Sequence, residues 1–154
     1  MRARIIVALA AVVAGGCRAP AAPPADDAAP LVHAAVLRYA AKQFLSEERL
    51  PLCVAIQGSA GLDARVRDAL PPTVPDVRSA EACVIVDGDV YLAGSRVPAV
   101  LLTSGPIRWI AEDEAEVSGG FTRTRSSSRR PLYRVVRDGG RWVCLGPVVT
   151  GLPL

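Results

Sequence analysis

The sequence predicts an α+β domain in which a helix, a strand and a second helix precede a curved antiparallel sheet that packs on the helices. Three observations lead to this fold class. Apolar residues recur with helical spacing over residues 31–47, as they do on the buried face of an amphipathic helix. Short runs rich in Val and Ile then alternate with turn signals over residues 83–145, which is typical of consecutive strands. Two of these turns, at 87–89 and 138–140, combine Asp with Gly, the composition that favours β-hairpins.

The first three elements are predicted from local patterns. Five apolar residues of segment 31–47 fall on one helical stripe: Ala34, Leu37, Ala41, Phe44 and Leu45. Pro51 closes this region, because proline cannot continue a helix. The apolar run 52–56 predicts a buried strand. Ser59 is a residue type that caps helices, so we expect the second helix to run from there to residue 70.

Seven further runs predict the strands of the sheet: 83–86, 90–92, 97–103, 107–111, 115–121, 132–137 and 141–145. The clearest pair flanks the turn at 138–140. In its first strand, Tyr133 and Val135 alternate with Arg134, as side chains do in a half-buried strand. We expect Trp142, on the last strand, to cover the core.

The first 17 residues have the composition of an export signal. Arg2 and Arg4 precede an apolar run at 5–14, which is followed by two glycines and then Cys17. This arrangement resembles the lipobox of bacterial lipoproteins. The resemblance implies that residues 1–16 are removed, that Cys17 is acylated, and that the protein is anchored on the extracytoplasmic face of a membrane in the bacterial cell envelope. An ordinary signal peptide cut at a nearby small residue is the alternative.

Composition divides the rest of the chain into a tether and one domain. Residues 17–30 are rich in Ala and Pro and contain no large apolar side chain, so they predict an extended tether; a Pro-rich recognition segment is the alternative. Residues 31–154 are long enough for a single α+β domain with its own core. Without Arg2 and Arg4 the formal charge falls from +3 to about +1. This near-neutral balance does not favour nucleic acid as a partner.

The last strands carry a second resemblance. The segments 107–109, 115–121 and 133–135, together with Gly140-Arg141-Trp142-Val143, resemble a pattern in small bacterial secreted proteins. They are also similar to the closing strands of NTF2-like and cystatin-like domains. The resemblance implies a helix packed on a curved sheet. It implies no particular activity, because NTF2-like domains include enzymes, ligand binders and interaction modules.

Cysteine usage predicts one disulfide and no metal site. Besides Cys17 the chain has Cys53, Cys83 and Cys144, which allow three single bridges. We favour Cys53–Cys83, because both residues lie in predicted strands that can be neighbours; three buried free thiols are the alternative. No Cys-x-x-Cys occurs, and the one histidine, His33, leaves too few ligands for structural zinc. We expect no cofactor.

No catalytic residue is predicted. Ser59 lies in Gln57-Gly58-Ser59-Ala60-Gly61, which lacks the first glycine of a nucleophile elbow. His33 precedes the serine instead of following it, and no carboxylate partner can be named for it. We therefore interpret Ser59 as a helix cap and His33 as a partly buried structural side chain.

Two charged segments remain as candidates for binding. Four arginines surround a run of three serines at 126–128: Arg123, Arg125, Arg129 and Arg130. They form either a docking loop for an anionic partner, such as lipid headgroups, an envelope glycan or an acidic protein face, or an exposed loop that pairs with nearby carboxylates. Those carboxylates form the acidic run: Glu112, Asp113, Glu114 and Glu116. We interpret this run as a solvated turn, with a calcium or acid–base site as its alternative.

The sequence therefore favours a non-enzymatic interaction or structural module of the envelope, held to the membrane by its N-terminal lipid, with an envelope protein or an anionic glycan as its partner. The alternative is an NTF2-like protein with a pocket that binds or converts a small apolar ligand. Four aromatic residues could line such a pocket: Tyr39, Phe44, Trp109 and Trp142. A filled core would favour the first function, and an open cavity between helix and sheet the second.

Overall fold

The computed structural model describes residues 28–44, 50–59, 61–70, 72 and 76–148. Predictions for the signal segment, for Cys17 and for tether residues 17–27 lie outside them. The elements follow in chain order: α1 Ala28–Phe44, β1 Leu52–Ile56, α2 Ala64–Ala69, β2 Val77–Ser79, a 3-10 turn Ala80–Ala82, β3 Cys83–Val86, β4 Asp89–Leu92, β5 Val100–Ala111, β6 Glu114–Thr122, β7 Ser128–Arg129, β8 Leu132–Asp138 and β9 Arg141–Pro147. One long helix with a mostly antiparallel, curved sheet confirms the predicted α+β class.

The strands form two sheets of unequal size. The larger has the order β2-β1-β5-β6-β8-β9, with β7 paired to the end of β6, and the smaller is the β3–β4 hairpin. The predicted antiparallel arrangement holds from β5 to β9. However, β1 is parallel to both of its neighbours, with Leu52 opposite Val77 on one side and Val100 on the other. Parallel partners need a crossover connection, and α2 lies between β1 and β2.

Helix α1 packs across the large sheet and fills the space above it. One cluster joins the C-terminal half of α1 to α2, β1 and β5, with Leu37 and Leu102 fully buried. A second joins the N-terminal half to β6, β8 and β9, with Val117 and Tyr133 at its centre. Burial of each such side chain contributes about 1.5–3 kcal/mol. No described side-chain polar atom is buried without a hydrogen-bond partner.

Both helices begin at positions other than those predicted. Helix α1 starts at Ala28, so three residues assigned to the tether belong to the helix. Pro30 lies in the first turn, where backbone N–H groups have no helical acceptor and proline costs no hydrogen bond. The prediction that Ser59 caps α2 is wrong. Asp63 is the cap, and its Oδ1 accepts a hydrogen bond from the Arg65 amide at 2.7 Å.

A single strand, β5, replaces the two strands predicted at 97–103 and 107–111. It begins at Val100 and continues to Ala111. The pairing of β5 with β6 is irregular between Ser104 and Ile107. Pro106 lies in this irregularity, where a residue without a backbone N–H is tolerated because the ladder is already interrupted. The sequence interruption at Gly105-Pro106 therefore marks a bulge and not a turn.

Candidate anion-binding surface

The four predicted arginines lie on one folded loop. The arginine loop, residues 123–130, connects β6 to β8 and contains the short strand β7. Its hydroxyl side chains hold it together: Ser127 Oγ accepts from the Thr124 amide at 3.1 Å, and Thr124 Oγ1 accepts from the Ser127 amide at 3.2 Å. Reciprocal bonds of this kind replace regular secondary structure in turns. The serine-rich run therefore shapes the loop that presents the arginines.

Strand β7 fixes the second half of the arginine loop against the sheet. Arg129 lies opposite Phe121, and Ser128 lies opposite Thr122. A Cβ atom at Gly120 would lie 1.8 Å from the carbonyl oxygen of Arg129, so only glycine permits this approach. Because β7 pairs with β6, the sheet fixes the backbone from which the side chains of Arg129 and Arg130 project.

The acidic run does not neutralise the arginine loop. Glu114 forms an ion pair with Arg134 at 2.9 Å, and Glu116 forms one with Arg108. The turn at 112–113 and the arginine loop lie at opposite ends of the nine-residue strand β6, roughly 30 Å apart at the usual rise per residue. The alternative in which the loop arginines pair with this run is therefore wrong.

Three of the loop arginines have no acidic partner among the described residues. Over the described part of the chain, no carboxylate forms an ion pair with Arg125, Arg129 or Arg130. All three side chains are exposed. A guanidinium offers five fixed donors that match carboxylate or phosphate oxygens. These three groups are therefore available to an external anion.

Arg130 lines two open grooves, one on each side. The larger, the α1 groove, has a volume of about 600 Å³ and lies between α1 and the β7–β9 region. Its lining combines aromatic, proline, amide and guanidinium groups: Tyr39, Gln43, Arg129, Arg130, Pro131, Tyr133 and Pro147. The smaller, the β1 groove, has a volume of about 300 Å³ and lies where β1 ends beside β5. Its surface is mostly apolar, and Gln57, Thr103, Ser104 and Ser118 add polar groups.

A buried serine–histidine contact lies beside the β1 groove. His33 Nδ1 and Ser104 Oγ are 2.8 Å apart, and Ser104 is 2% exposed. Burial lowers the pKa of His33 below its usual value of 6.5, so the ring is neutral at neutral pH. In serine hydrolases the serine contacts Nε2 while a carboxylate holds Nδ1, and here the serine itself occupies Nδ1. The contact therefore ties α1 to β5, in agreement with a structural role for His33.

Three of the four aromatic residues proposed for an apolar pocket lie in or against the second core cluster. Trp109 and Trp142 pack edge to face on each other, with ring centroids 5.7 Å apart. Both belong to the second core cluster. Tyr39 lines the α1 groove, where it meets Tyr133 at 5.6 Å, and the side chain of Phe44 lies outside the described residues. Among the described residues, the side chains between helix and sheet form two buried clusters, and the α1 groove and the β1 groove open beside them.

A disulfide joins Cys53 and Cys83, with Cα atoms 6.2 Å apart. Cys53 lies in β1 and Cys83 begins β3, and these strands do not pair. The 3-10 turn Ala80–Ala82 returns the chain from β2 and brings the two residues together.

Cys144 is a half-buried free thiol. Burial raises its pKa to about 11, so the reactive thiolate is scarce at neutral pH.

The described residues contain neither a membrane-spanning helix nor a cluster of metal ligands. No described helix combines the length and apolar character needed to cross a membrane. No three metal-ligating side chains in this part of the chain lie close enough together to hold an ion.

Sequence reasoning located the arginine loop but missed Ser104 and the two grooves. The available signal for Ser104 was its place in an alternating strand, after Val100 and Leu102, where every second residue is buried. A hydroxyl at such a position needs a hydrogen-bond partner.

Comparison with protein-family models, with curated proteins and with solved structures finds no match to this chain.

Proposed function

We propose that this protein is a non-enzymatic interaction module of the bacterial cell envelope, anchored to a membrane by acylated Cys17. It binds an anionic envelope partner, a protein or a glycan that carries carboxylates, at the α1 groove. The observation that carries this proposal is the pair of exposed arginines, Arg129 and Arg130, which lie in an open groove and form no ion pair with a carboxylate among the described residues.

The compartment is supported from two directions. The leader resembles a lipobox ending at Cys17. The Cys53–Cys83 disulfide suits an oxidising compartment, because cytosolic thiols are kept reduced. A single acyl chain binds a membrane only marginally, so stable anchoring requires the several chains that the resemblance to bacterial lipoproteins implies.

The α1 groove offers groups that recognise a carboxylate and the chain that carries it. Arg129 and Arg130 supply paired donors for carboxylate oxygens, and such charge-assisted bonds are stronger than neutral ones. Tyr39, Pro131 and Pro147 supply apolar faces beside them, and Gln43 adds a donor and an acceptor. Arginine and tyrosine are also the residue types enriched where binding energy concentrates.

The packing of the two tryptophans favours this function over the alternative of a pocket for a small apolar ligand. They contact each other, and the α1 and β1 grooves combine apolar surface with guanidinium, amide and hydroxyl groups. The serine–histidine contact uses Nδ1, the atom that a hydrolase reserves for its carboxylate. These features support a binding role.

Photo-crosslinking in intact cells tests the proposal. A photoreactive residue replaces Gln43, an exposed side chain on the α1 groove, in the full-length protein. We expect a discrete crosslinked product whose yield falls by about tenfold in the Arg129→Glu/Arg130→Glu variant, because two attractive charges become repulsive. The matched control is Arg137→Glu/Arg141→Glu, which makes the same charge change at the exposed β8–β9 turn.

Digestion of the product separates the two kinds of partner. Collapse of the product to the size of the free protein after a glycan hydrolase identifies a glycan, and peptides of a second protein in a proteolytic digest of the purified product identify a protein. If the Arg129→Glu/Arg130→Glu variant and the control give the same yield as the unmodified protein, the α1 groove is not the binding site. An intact mass showing unacylated Cys17 would remove the membrane anchor from the proposal.

A further inference from the structure

The outer edge of strand β3 carries exposed apolar side chains on both faces of the β3–β4 hairpin. Val84 and Val86 project from one face and are 40% and 51% exposed, while Ile85 projects from the other and is 56% exposed. Val90, which lies opposite Ile85 on β4, is buried, so the exposure of Ile85 arises on the side away from β4. A partner that contacts all three side chains must therefore approach the edge of the strand and not one of its faces.

The backbone of β3 also offers unpaired hydrogen-bonding groups at this edge. On β4, the Val90 amide donates to the Arg123 carbonyl, and the Val90 carbonyl accepts from the Ala99 amide, so both groups point away from β3. Residues opposite each other in an antiparallel pair direct their backbone groups either toward each other or away from each other. Ile85 lies opposite Val90 and therefore directs its amide and carbonyl to the outer edge, where no described backbone group bonds to them.

The edge of β3 lacks the features that protect the two terminal strands of the large sheet, β2 and β9. The middle residue of β2, Arg78, is charged and exposed. Strand β9 begins at Arg141, ends at Pro147 and is irregular in its pairing with β8. Charged residues, proline and bulges keep strand edges from pairing with other strands. Strand β3 pairs in regular register from Cys83 to Val86 and contains neither a charge nor a proline, so its edge is open to another strand.

The position of this edge is fixed before any partner arrives. The disulfide joins Cys83, the first residue of β3, to β1. The two-residue turn at the other end has positive φ angles at Asp87 and Gly88, as in the turns that close tight hairpins. The Arg125 amide donates to Asp89 Oδ1 at 3.1 Å and ties the hairpin to the arginine loop. A strand that is already ordered loses little conformational entropy on association.

We propose that the β3 edge pairs with the β3 edge of a second copy of this chain, antiparallel and about a twofold axis at Ile85. In this register the two Ile85 residues exchange amide-to-carbonyl hydrogen bonds, and their side chains meet on one face of the joined hairpins. On the other face, Val84 lies opposite Val86 of the second copy. The proposal goes beyond the proposed function and depends neither on the α1 groove nor on the anchor at Cys17.

The sequence of β3 supports a second copy as the occupant. Residues 84–86 read Val-Ile-Val, the same in both directions, so antiparallel copies match like with like at all three positions. Branched aliphatic side chains suit such cross-strand contacts. Asp87, the first charged residue after the strand, lies opposite Cys83 of the second copy. The two Asp87 carboxylates are therefore at opposite ends of the pair, and like charges do not oppose the register.

The pairing stops at two copies and is weak. Each copy has one β3 edge, and a twofold contact uses both, so nothing remains to extend a fibre. A standard stable interface buries about 800 Å² on each partner, and one short strand edge with three partly exposed side chains buries less. We therefore expect a dissociation constant on the order of 100 µM, in the range of weak, transient contacts.

Sedimentation equilibrium of the full-length acylated protein in density-matched detergent tests the inference. We expect a monomer–dimer equilibrium that is weakened about tenfold or more by Ile85→Lys, because two ammonium groups would then face each other across the axis. The matched control is Leu145→Lys, which places the same charge at a residue 60% exposed on the edge strand β9, and it should retain the dimer.

Four outcomes of this measurement overturn the inference. They are a protein that stays monomeric up to about 1 mM, a dimer that Ile85→Lys leaves unchanged, a dimer that both variants weaken equally, and association that continues beyond two copies.

A disulfide trap tests the register and does not depend on the lysine variant. Val84→Cys and Val86→Cys are prepared separately in the Cys144→Ala background and then mixed under mild oxidation. In the proposed register these two positions are directly opposite and lie within the distance that a disulfide spans, whereas either variant alone places its cysteines on a diagonal that is too long. We expect the mixture to give at least a fivefold higher yield of covalent dimer, with residues 84 and 86 joined in the peptide masses. Equal yields from mixed and single samples overturn the inference.

Photo-crosslinking in intact cells distinguishes a second copy from a strand of another protein, which would use the same backbone groups. A photoreactive residue replaces Val86, and we expect a product with twice the mass of the protein that is lost in Ile85→Lys. A product that contains a different protein, or no product, overturns the inference. The crosslink from Gln43 reports the α1 groove separately, so the proposed function stands or fails independently of this result.

Discussion

The two flanks of this molecule use the same residue types for opposite purposes. Under α1, branched apolar side chains such as Val117 and Val135 are fully buried against the sheet. On β3, Val84 and Ile85 lie in the same kind of secondary structure but are 40% and 56% exposed. The difference is the second layer, because α1 covers the large sheet and no described helix covers the hairpin in the same way. Apolar composition alone therefore does not decide whether a strand is buried.

Arginines show the same contrast. Arg108 and Arg134 lie across from Glu116 on neighbouring strands, and each pairs with a carboxylate of β6. Exposed pairs of this kind contribute about 1 kcal/mol or less, and they mainly neutralise the outer face of the sheet. Arg125 and Arg130 have no such partner within the described residues. In the middle of β6 the arginines pair with carboxylates, whereas at its far end Arg125 and Arg130 have no carboxylate partner among the described residues.

Removal of the disulfide should have the largest effect on stability, because that bond joins the two regions. The pair Cys53→Ser/Cys83→Ser opens a loop with a sequence separation of 30 residues. The chain-entropy relation gives a loss of about 3.5 kcal/mol in the free energy of unfolding. Urea denaturation measures it, and hydrogen exchange over 83–92 should accelerate more than over β8. A loss equal to that of Cys144→Ala would contradict this account.

A matched pair of truncations compares the regions directly. Leu37→Ala, at a fully buried position under the sheet, should reduce the free energy of unfolding by about 3 kcal/mol through lost burial and a cavity. Ile85→Ala, at a residue 56% exposed, should change it by less than about 0.5 kcal/mol. Thermal or urea unfolding measures both. Comparable losses would mean that Ile85 contributes to the core as much as Leu37 does.

Features with a local physical cause could be predicted from the sequence. The turn at 139–140 and the flanking strands follow from Gly content and alternation, and β1 follows from one apolar run. The arginine loop also follows from a local pattern, the four arginines around the serine run at 126–128. The cap of α2 shows the limit, because Ser59 and Asp63 are equally good cap residues and tertiary packing decides between them.

Features that depend on distant residues could not be predicted. β2 has only three residues, too few for a periodic signal, and its parallel pairing with β1 depends on the path of α2. His33 and Ser104 are 71 residues apart, so their contact follows from how α1 crosses the sheet. The register between neighbouring strands determines the ion-pair partners of Glu114 and Glu116. A one-residue slip of that register would turn every side chain to the other face of the sheet.

The smallest expected effect is a pH dependence of stability that originates at His33. Burial lowers the pKa of His33 in the folded protein below the 6.5 expected for the unfolded chain, so the folded state binds fewer protons. Its contribution to stability is complete above about pH 6.5 and declines as the pH falls through the folded-state pKa.

Unfolding of the protein and of His33→Gln, followed by urea denaturation between about pH 7.5 and pH 5.5, measures this contribution. The amide of Gln retains a hydrogen-bonding group near Ser104 Oγ but does not titrate. We expect the unmodified protein to lose stability toward pH 5.5 and the variant to be nearly flat. His33 is the single histidine in the chain, so its imidazole resonance reports the folded-state pKa without ambiguity. A resonance that titrates at or above pH 6.5 would place His33 in contact with solvent and would break its assignment as a buried tie between α1 and β5.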